Sequence, residues 1–135
     1  MTKTINFKYG ELVPVANFMA GLDLANKASR ARTKLIKLIA EKNEEYNEDE
    51  NEAVKDFYED GTLIEGKENE VLAIKNEMRV EVCVLDLTEY ISKMVDLRNA
   101  LDNYSETFAD SDAILYDLVM DQLETISEDK MEETK

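Results

Sequence analysis

Between Gly21 and Gly61 the chain contains neither glycine nor proline, and from about Asn26 its apolar residues recur at helical spacing. At about 100° per residue, Ala28, Ala31, Leu35, Leu38, Ile39, Tyr46, Ala53 and Phe57 fall in one arc, and Lys27, Arg30, Lys34 and Lys37 form a stripe beside it. The pattern fits a single helix of about 30 residues, ~45 Å long at ~1.5 Å per residue. A break is conceivable only around Asn43 to Asn51, where Asn43-Glu-Glu-Tyr-Asn-Glu-Asp-Glu-Asn51 suits either a solvated helix face or a loop between two helices.

Charge along this element runs against the helix macrodipole. The segment from Lys27 to Lys37 has five bases and no acid, in a protein of net charge −15, and the rest of the chain therefore carries 31 acids against 11 bases. Leu38 to Asp60 follows with ten acids against Lys42 and Lys55. Anions belong at a helix N-terminus and cations at the C-terminus, each worth about 0.3 to 1 kcal/mol where exposed. Local helix energetics do not account for the observed order, which makes the basic segment the first place to look for a contact. Its candidate residues are Lys27, Arg30, Arg32, Lys34 and Lys37, with Arg32 pointing away from the stripe formed by the other four.

The flanking sequence resolves into shorter pieces. Thr4 to Lys8 alternates through Ile5 and Phe7 as a strand does, and Leu12 to Leu22 is apolar enough for a short buried helix with Pro14 in its first turn. Asp60-Gly61 and Gly66-Lys67 bracket a small hairpin or edge strand. Glu68 to Met78 reads as a modest helix, and Arg79 to Leu87, with valines at 80, 82 and 84, as the clearest strand, pairing with the N-terminal one. Thr88 is placed to cap a helix reaching Leu101, and Ser111 to cap the last helix. In that last helix Ile114, Leu115, Leu118, Val119, Gln122 and Ile126 share a face opposite Asp110, Asp117, Asp121, Glu124 and Glu128. The expected fold is α+β and mostly helical: one long charge-polarised helix, several shorter helices and a small antiparallel sheet. Residues 1–126 make a single domain, and 127–135 an acidic tail that frays.

Composition narrows the chemistry. With no histidine, the chain cannot supply a Ser-His-Asp triad, a Cys-His pair or a histidine-containing zinc site. Its four glycines form no phosphate-cradling loop. Asp49-Glu-Asn-Glu-Ala53 and Asp110-Ser-Asp-Ala-Ile114 lack the glycine and third oxygen ligand of an EF-hand loop. Cys83, alone in an apolar run, is expected to be a buried thiol. The expectation is a protein with no enzymatic activity, no cofactor and no metal. The start of the chain lacks an apolar signal core and no run is long enough to cross a bilayer, so the expected location is the cytoplasm, without membrane contact.

The segment Leu12-Val-Pro-Val15 with Phe18, then Lys27-Ala-Ser-Arg-Ala-Arg-Thr-Lys-Leu-Ile-Lys-Leu38, resembles a family of small uncharacterised proteins from tailed phages and prophages of Gram-positive bacteria. The resemblance continues through Asp60-Gly61, Leu87-Thr-Glu-Tyr90 and Ala113-Ile-Leu-Tyr-Asp-Leu118, and so spans most of the chain. It implies a phage-encoded protein acting in a bacterial host, free or with the virion, and supplies no chemistry. The basic segment then has three readings: neutralisation by the protein's own acids; contact with an acidic protein or a second copy of this chain, basic half against acidic half; or phosphate binding, which the surrounding negative charge opposes. Binding of a phage or host protein through Lys27 to Lys37 is the preferred expectation. The alternative is an acidic decoy that imitates nucleic acid and inhibits a host defence or DNA/RNA-processing enzyme, using Glu44, Glu45, Glu48 and Asp49 with Asp110, Asp117, Asp121 and Glu124.

Overall fold

The computed structural model describes residues 3–133, with side chains as far as Ile126. Strand β1 (Thr4–Lys8) and helix α1 (Leu12–Ala20) lead into α2 (Asn26–Val54), 29 residues without a break. A hairpin of β2 (Tyr58–Glu59) and β3 (Thr62–Leu63) follows, then α3 (Glu68–Arg79), β4 (Val82–Asp86), α4 (Ile91–Asp102) and α5 (Asp110–Glu133). The expected tail of 127–135 falls on residues whose side chains lie outside the description.

The polar middle of α2 stays helical because tertiary contacts hold it. Tyr46 is buried and stacks on Tyr9, with ring centroids 4.9 Å apart and planes 10° from parallel. Its hydroxyl donates to Glu50 Oε2 at 2.5 Å. Glu50 in turn faces Lys75 Nζ and Arg79 Nε of α3, each at 3.9 Å. One carboxylate thus ties the acidic half of α2 to both an aromatic pair and a neighbouring helix, which a loop could not do without losing all four contacts.

β1 and β4 pair antiparallel, Thr4 opposite Asp86 and Lys8 opposite Val82. Ile5, Phe7, Cys83 and Leu85 point inward and are buried, while Val82 and Val84 face out. Two of the three valines that mark the strand in sequence therefore lie on its wet face; the strand is shorter than expected, because Arg79 ends α3 and Val80 caps that helix. Helices α1, α2, α4 and α5 close over the inner face, α1 and α4 against α2, and α5 against α4, α1 and β1. The core they share includes Leu12, Val15 and Met19 of α1, Ala31, Leu35 and Ile39 of α2, Met94, Leu97 and Leu101 of α4, and Val119 and Leu123 of α5. Each large side chain of this set contributes about 1.5 to 3 kcal/mol by leaving water.

Several expectations change in detail. Ala53 is exposed and Val54 takes the buried position at the last residue of α2, just before a 3-10 turn at Lys55–Phe57. Thr88 does not cap α4. Asp86 Oδ1 instead accepts from Thr88 N at 3.0 Å and from Thr88 Oγ1 at 2.6 Å, which holds the Asp86 carboxyl below its usual range. α5 begins at Asp110, so Ser111 lies inside its first turn. Its buried face is also rotated: Met120 and Leu123 are inside with Val119 and Ile126, while Ile114 is 71% exposed. The rotation follows from the three partners of α5, because β1 meets it through Gln122, whose Oε1 accepts from Asn6 N at 2.8 Å. At the turn Asp60-Gly61 both residues have positive φ, 52° and 80°, as a two-residue hairpin of this hand requires.

Burial, followed by the hydrogen bond to Glu50, raises the Tyr46 phenol to about 12. Because the folded value lies above the unfolded one, the stability this adds is complete below about pH 10 and drains away as pH rises toward 12. Phenolate absorbance should show a last tyrosine ionising near pH 12, and Tyr46→Phe should remove that step.

Candidate functional site

A charged groove forms where the first half of α2 runs beside the start of α4. Lys27, Arg30 and Lys37 are exposed and Lys34 is half-buried. These four recur every three or four residues, so they line one edge of the groove over nearly three turns. Lys93 of α4 faces them from the opposite side, where two adjoining hollows of about 530 and 340 Å³ share Arg30 and Lys93 in their walls. Lys34 Nζ lies 5.1 Å from the centre of the Tyr90 ring, a cation–π contact that fixes the ammonium over the aromatic face.

The turn Thr88–Tyr90 that forms the end wall is positioned from the sheet. Lys3 N donates to Thr88 Oγ1 at 2.9 Å, and the Asp86 carboxylate holds the Thr88 amide and hydroxyl. Strand pairing between β1 and β4 thereby sets where Tyr90 and the first turn of α4 stand. Thr88, Tyr90 and Ser92 bring hydroxyls to the larger hollow, and Ser29 and Thr33 to the smaller.

Neutralisation by the protein's own acids is not what the geometry shows. Among the described residues, none of Lys27, Arg30, Lys34, Lys37 and Lys93 makes an ion pair within 4 Å. Glu89 and Asp96 share the walls of the larger hollow without closing on a base. The positive end of the α2 dipole adds to the same field, since α2 has no acid in its first turn and no side-chain cap on its N-terminus.

Arg32 does not belong to the groove. Its Nη1 donates to the carbonyls of Leu22 and, at 3.5 Å, Met19, and Nη2 donates to Ser29 Oγ at 3.1 Å. It gives the Leu22 carbonyl a donor just past the end of α1, adds to the Met19 carbonyl that already accepts from Leu22 N, and so locks α1 to the start of α2.

The acidic residues divide between two flanks. Glu44, Glu45, Glu48 and Asp49 are exposed on the second half of α2, with Glu45 at 3.9 Å from Lys42. Asp110, Asp117 and Asp121 are exposed along α5. Glu124 is half-buried and faces Arg98 Nη2 at 3.8 Å, which makes it part of the α4–α5 contact.

Comparison with family models, curated proteins and solved structures returns no match. The site must be judged on its own geometry. No helix among the described residues is long and apolar enough to cross a membrane.

Periodicity alone does not reveal Lys93 and Tyr90 as members of the site. Lys93 is the one base between Arg79 and Arg98, a weak signal that gains meaning once α4 is known to lie along α2.

The two arginines should separate cleanly. Arg32→Ala should cost about 1 to 3 kcal/mol in chemical denaturation, because it strands the Leu22 carbonyl just past the end of α1. Arg30→Ala and Lys93→Gln, which relieve like-charge crowding, should leave stability within about 0.5 kcal/mol or raise it slightly.

Proposed function

We propose that this chain is a non-enzymatic, phage-encoded binding protein of the bacterial cytoplasm, and that it docks an acidic protein segment in the groove between α2 and α4. The observation that carries the reading is the set of five groove cations without an ion pair among the described residues, in a protein of net charge −15. The phage origin rests on the resemblance of the Leu12 to Leu38 region. Like charges gathered with acids plentiful elsewhere cost folding energy, and a carboxylate-bearing partner recovers it.

Chemistry favours polypeptide over nucleic acid. A phosphate polymer approaching this groove meets Glu89 and Asp96 on one wall and a protein of net charge −15. A peptide can set carboxylates against Arg30, Lys34 and Lys93 while its amides and bases meet the two acids. The hydroxyls of Thr88, Tyr90 and Ser92 suit such mixed contacts.

Fluorescence anisotropy with labelled poly-glutamate and with a labelled duplex oligonucleotide tests the assignment. Poly-glutamate should bind at 0.1 M salt, Arg30→Glu with Lys34→Glu should weaken it at least tenfold, and the oligonucleotide should bind more weakly than poly-glutamate. Tighter binding of the oligonucleotide would move the site to phosphate recognition.

A further inference from the structure

The charge pattern of α2 continues past the groove with a symmetry that names a partner. At about 100° per residue, Glu41, Glu45, Glu48 and Glu52 fall within the same arc of about 80° as Lys27, Arg30, Lys34 and Lys37. All four glutamates are exposed. Because α2 is unbroken across the 43–51 stretch, basic and acidic halves form one straight stripe, about 38 Å from Lys27 to Glu52 at ~1.5 Å per residue.

The two halves mirror one another about the level of Ile39. Reversing the helix end for end sets Lys27 against Glu52 and Arg30 against Glu48. In the same register Lys34 meets Glu45, and Lys37 meets Glu41. We infer that α2 is a self-complementary interface on which two copies of this chain pair antiparallel about a two-fold axis that crosses the charged face at the level of Ile39, each filling the other's α2–α4 groove with its acidic half. The inference rests on the proposed role of the groove and names the acidic segment as this chain's own.

Three features support a second copy over an unrelated acidic protein. A two-fold axis uses every stripe residue twice, base against acid in both directions, as an isologous contact requires. An unrelated acidic segment would neutralise the basic half and leave Glu41 to Glu52 facing its own charge. Antiparallel packing also opposes the two helix dipoles, and Lys93 adds a fifth base to meet the incoming acids. The local partners of the stripe are weak competitors: Lys42–Glu45 at 3.9 Å and Lys55–Glu52 at 2.6 Å are exposed pairs three residues apart.

Light scattering coupled to gel filtration tests the pairing by charge exchange. The wild-type chain should run at twice its mass in 0.1 M salt and at its single mass in 1 M, where a screening length of ~3 Å is shorter than the ion-pair separation. The double variant Arg30→Glu, Lys34→Glu carries a mostly acidic stripe, with Lys27 and Lys37 its remaining bases, and Glu45→Lys, Glu48→Lys a mostly basic one. Each alone should be a monomer with unchanged circular dichroism, with an association constant at least tenfold lower, and an equimolar mixture should recover the doubled mass. A wild-type monomer at 0.1 M salt, a dimer that survives either reversal, or a mixture that stays monomeric would each overturn the inference. Poly-glutamate binding distinguishes the two claims. A monomer that still binds poly-glutamate leaves the groove as an acid-binding site for another protein, whereas loss of both removes both.

Discussion

Burial of one face of α2 is the constraint on which the rest depends. Its charges are ordered against its own dipole, at about 0.3 to 1 kcal/mol for each misplaced group near the ends, and its N-terminus lacks a side-chain cap. Against that stands a seam of Ala28, Ala31, Leu35, Ile39, Tyr46 and Val54, in which each large side chain returns about 1.5 to 3 kcal/mol. The seam wins, and it fixes the rotation of the helix about its axis. Once the seam faces α1, α4 and the sheet, the stripe of Lys27, Arg30, Lys34 and Lys37 has to stand at the solvent edge beside α4.

That rotation explains why two arginines two residues apart have unrelated roles. Arg30 projects into the groove, whereas Arg32, some 200° further round at about 100° per residue, reaches the end of α1. The short loop between α1 and α2 depends on this guanidinium, which accepts the cost of fixing a long side chain because it satisfies carbonyls that otherwise face a crowded corner. Composition therefore overstates the binding face. Of the five bases in the segment, four belong to the groove, and the fifth member of the groove comes from α4.

Much of this architecture was legible in the sequence, and the failures have physical causes. The length of α2, the pairing of β1 with β4, the hairpin at Asp60-Gly61 and the mostly helical α+β class follow from periodicity and turn chemistry alone. The buried faces were harder. Ala53 lost its place to Val54 at the end of α2, and Ile114 lost its place to the three-sided packing of α5, since local spacing sees only the residue's own helix. The capping of the turn before α4 by Asp86 rather than Thr88 depends on where β4 ends, which is a property of the sheet register. The groove was half visible: one wall is a stripe on one helix, but the other needs Lys93 and Tyr90 brought up by a neighbour.

The reversed polarity of α2 gains a reason when the helix is considered as one half of a pair. For a helix acting alone, bases belong at the C-terminus and acids at the N-terminus. In an antiparallel pair, both polarities give equally matched stripes, so the dipole should still select the conventional order. The opposite order is retained here because the seam requires α4 beside the N-terminal half, and α4 presents its own N-terminal turn and Lys93 there. Lys93 on the α4 wall, standing opposite the four bases of α2, is complemented from outside by an acidic segment, and a partner helix running antiparallel delivers its C-terminal half to that position. Under the proposed pairing the acids belong in the C-terminal half of α2 and the bases in the N-terminal half, which is the order the chain carries.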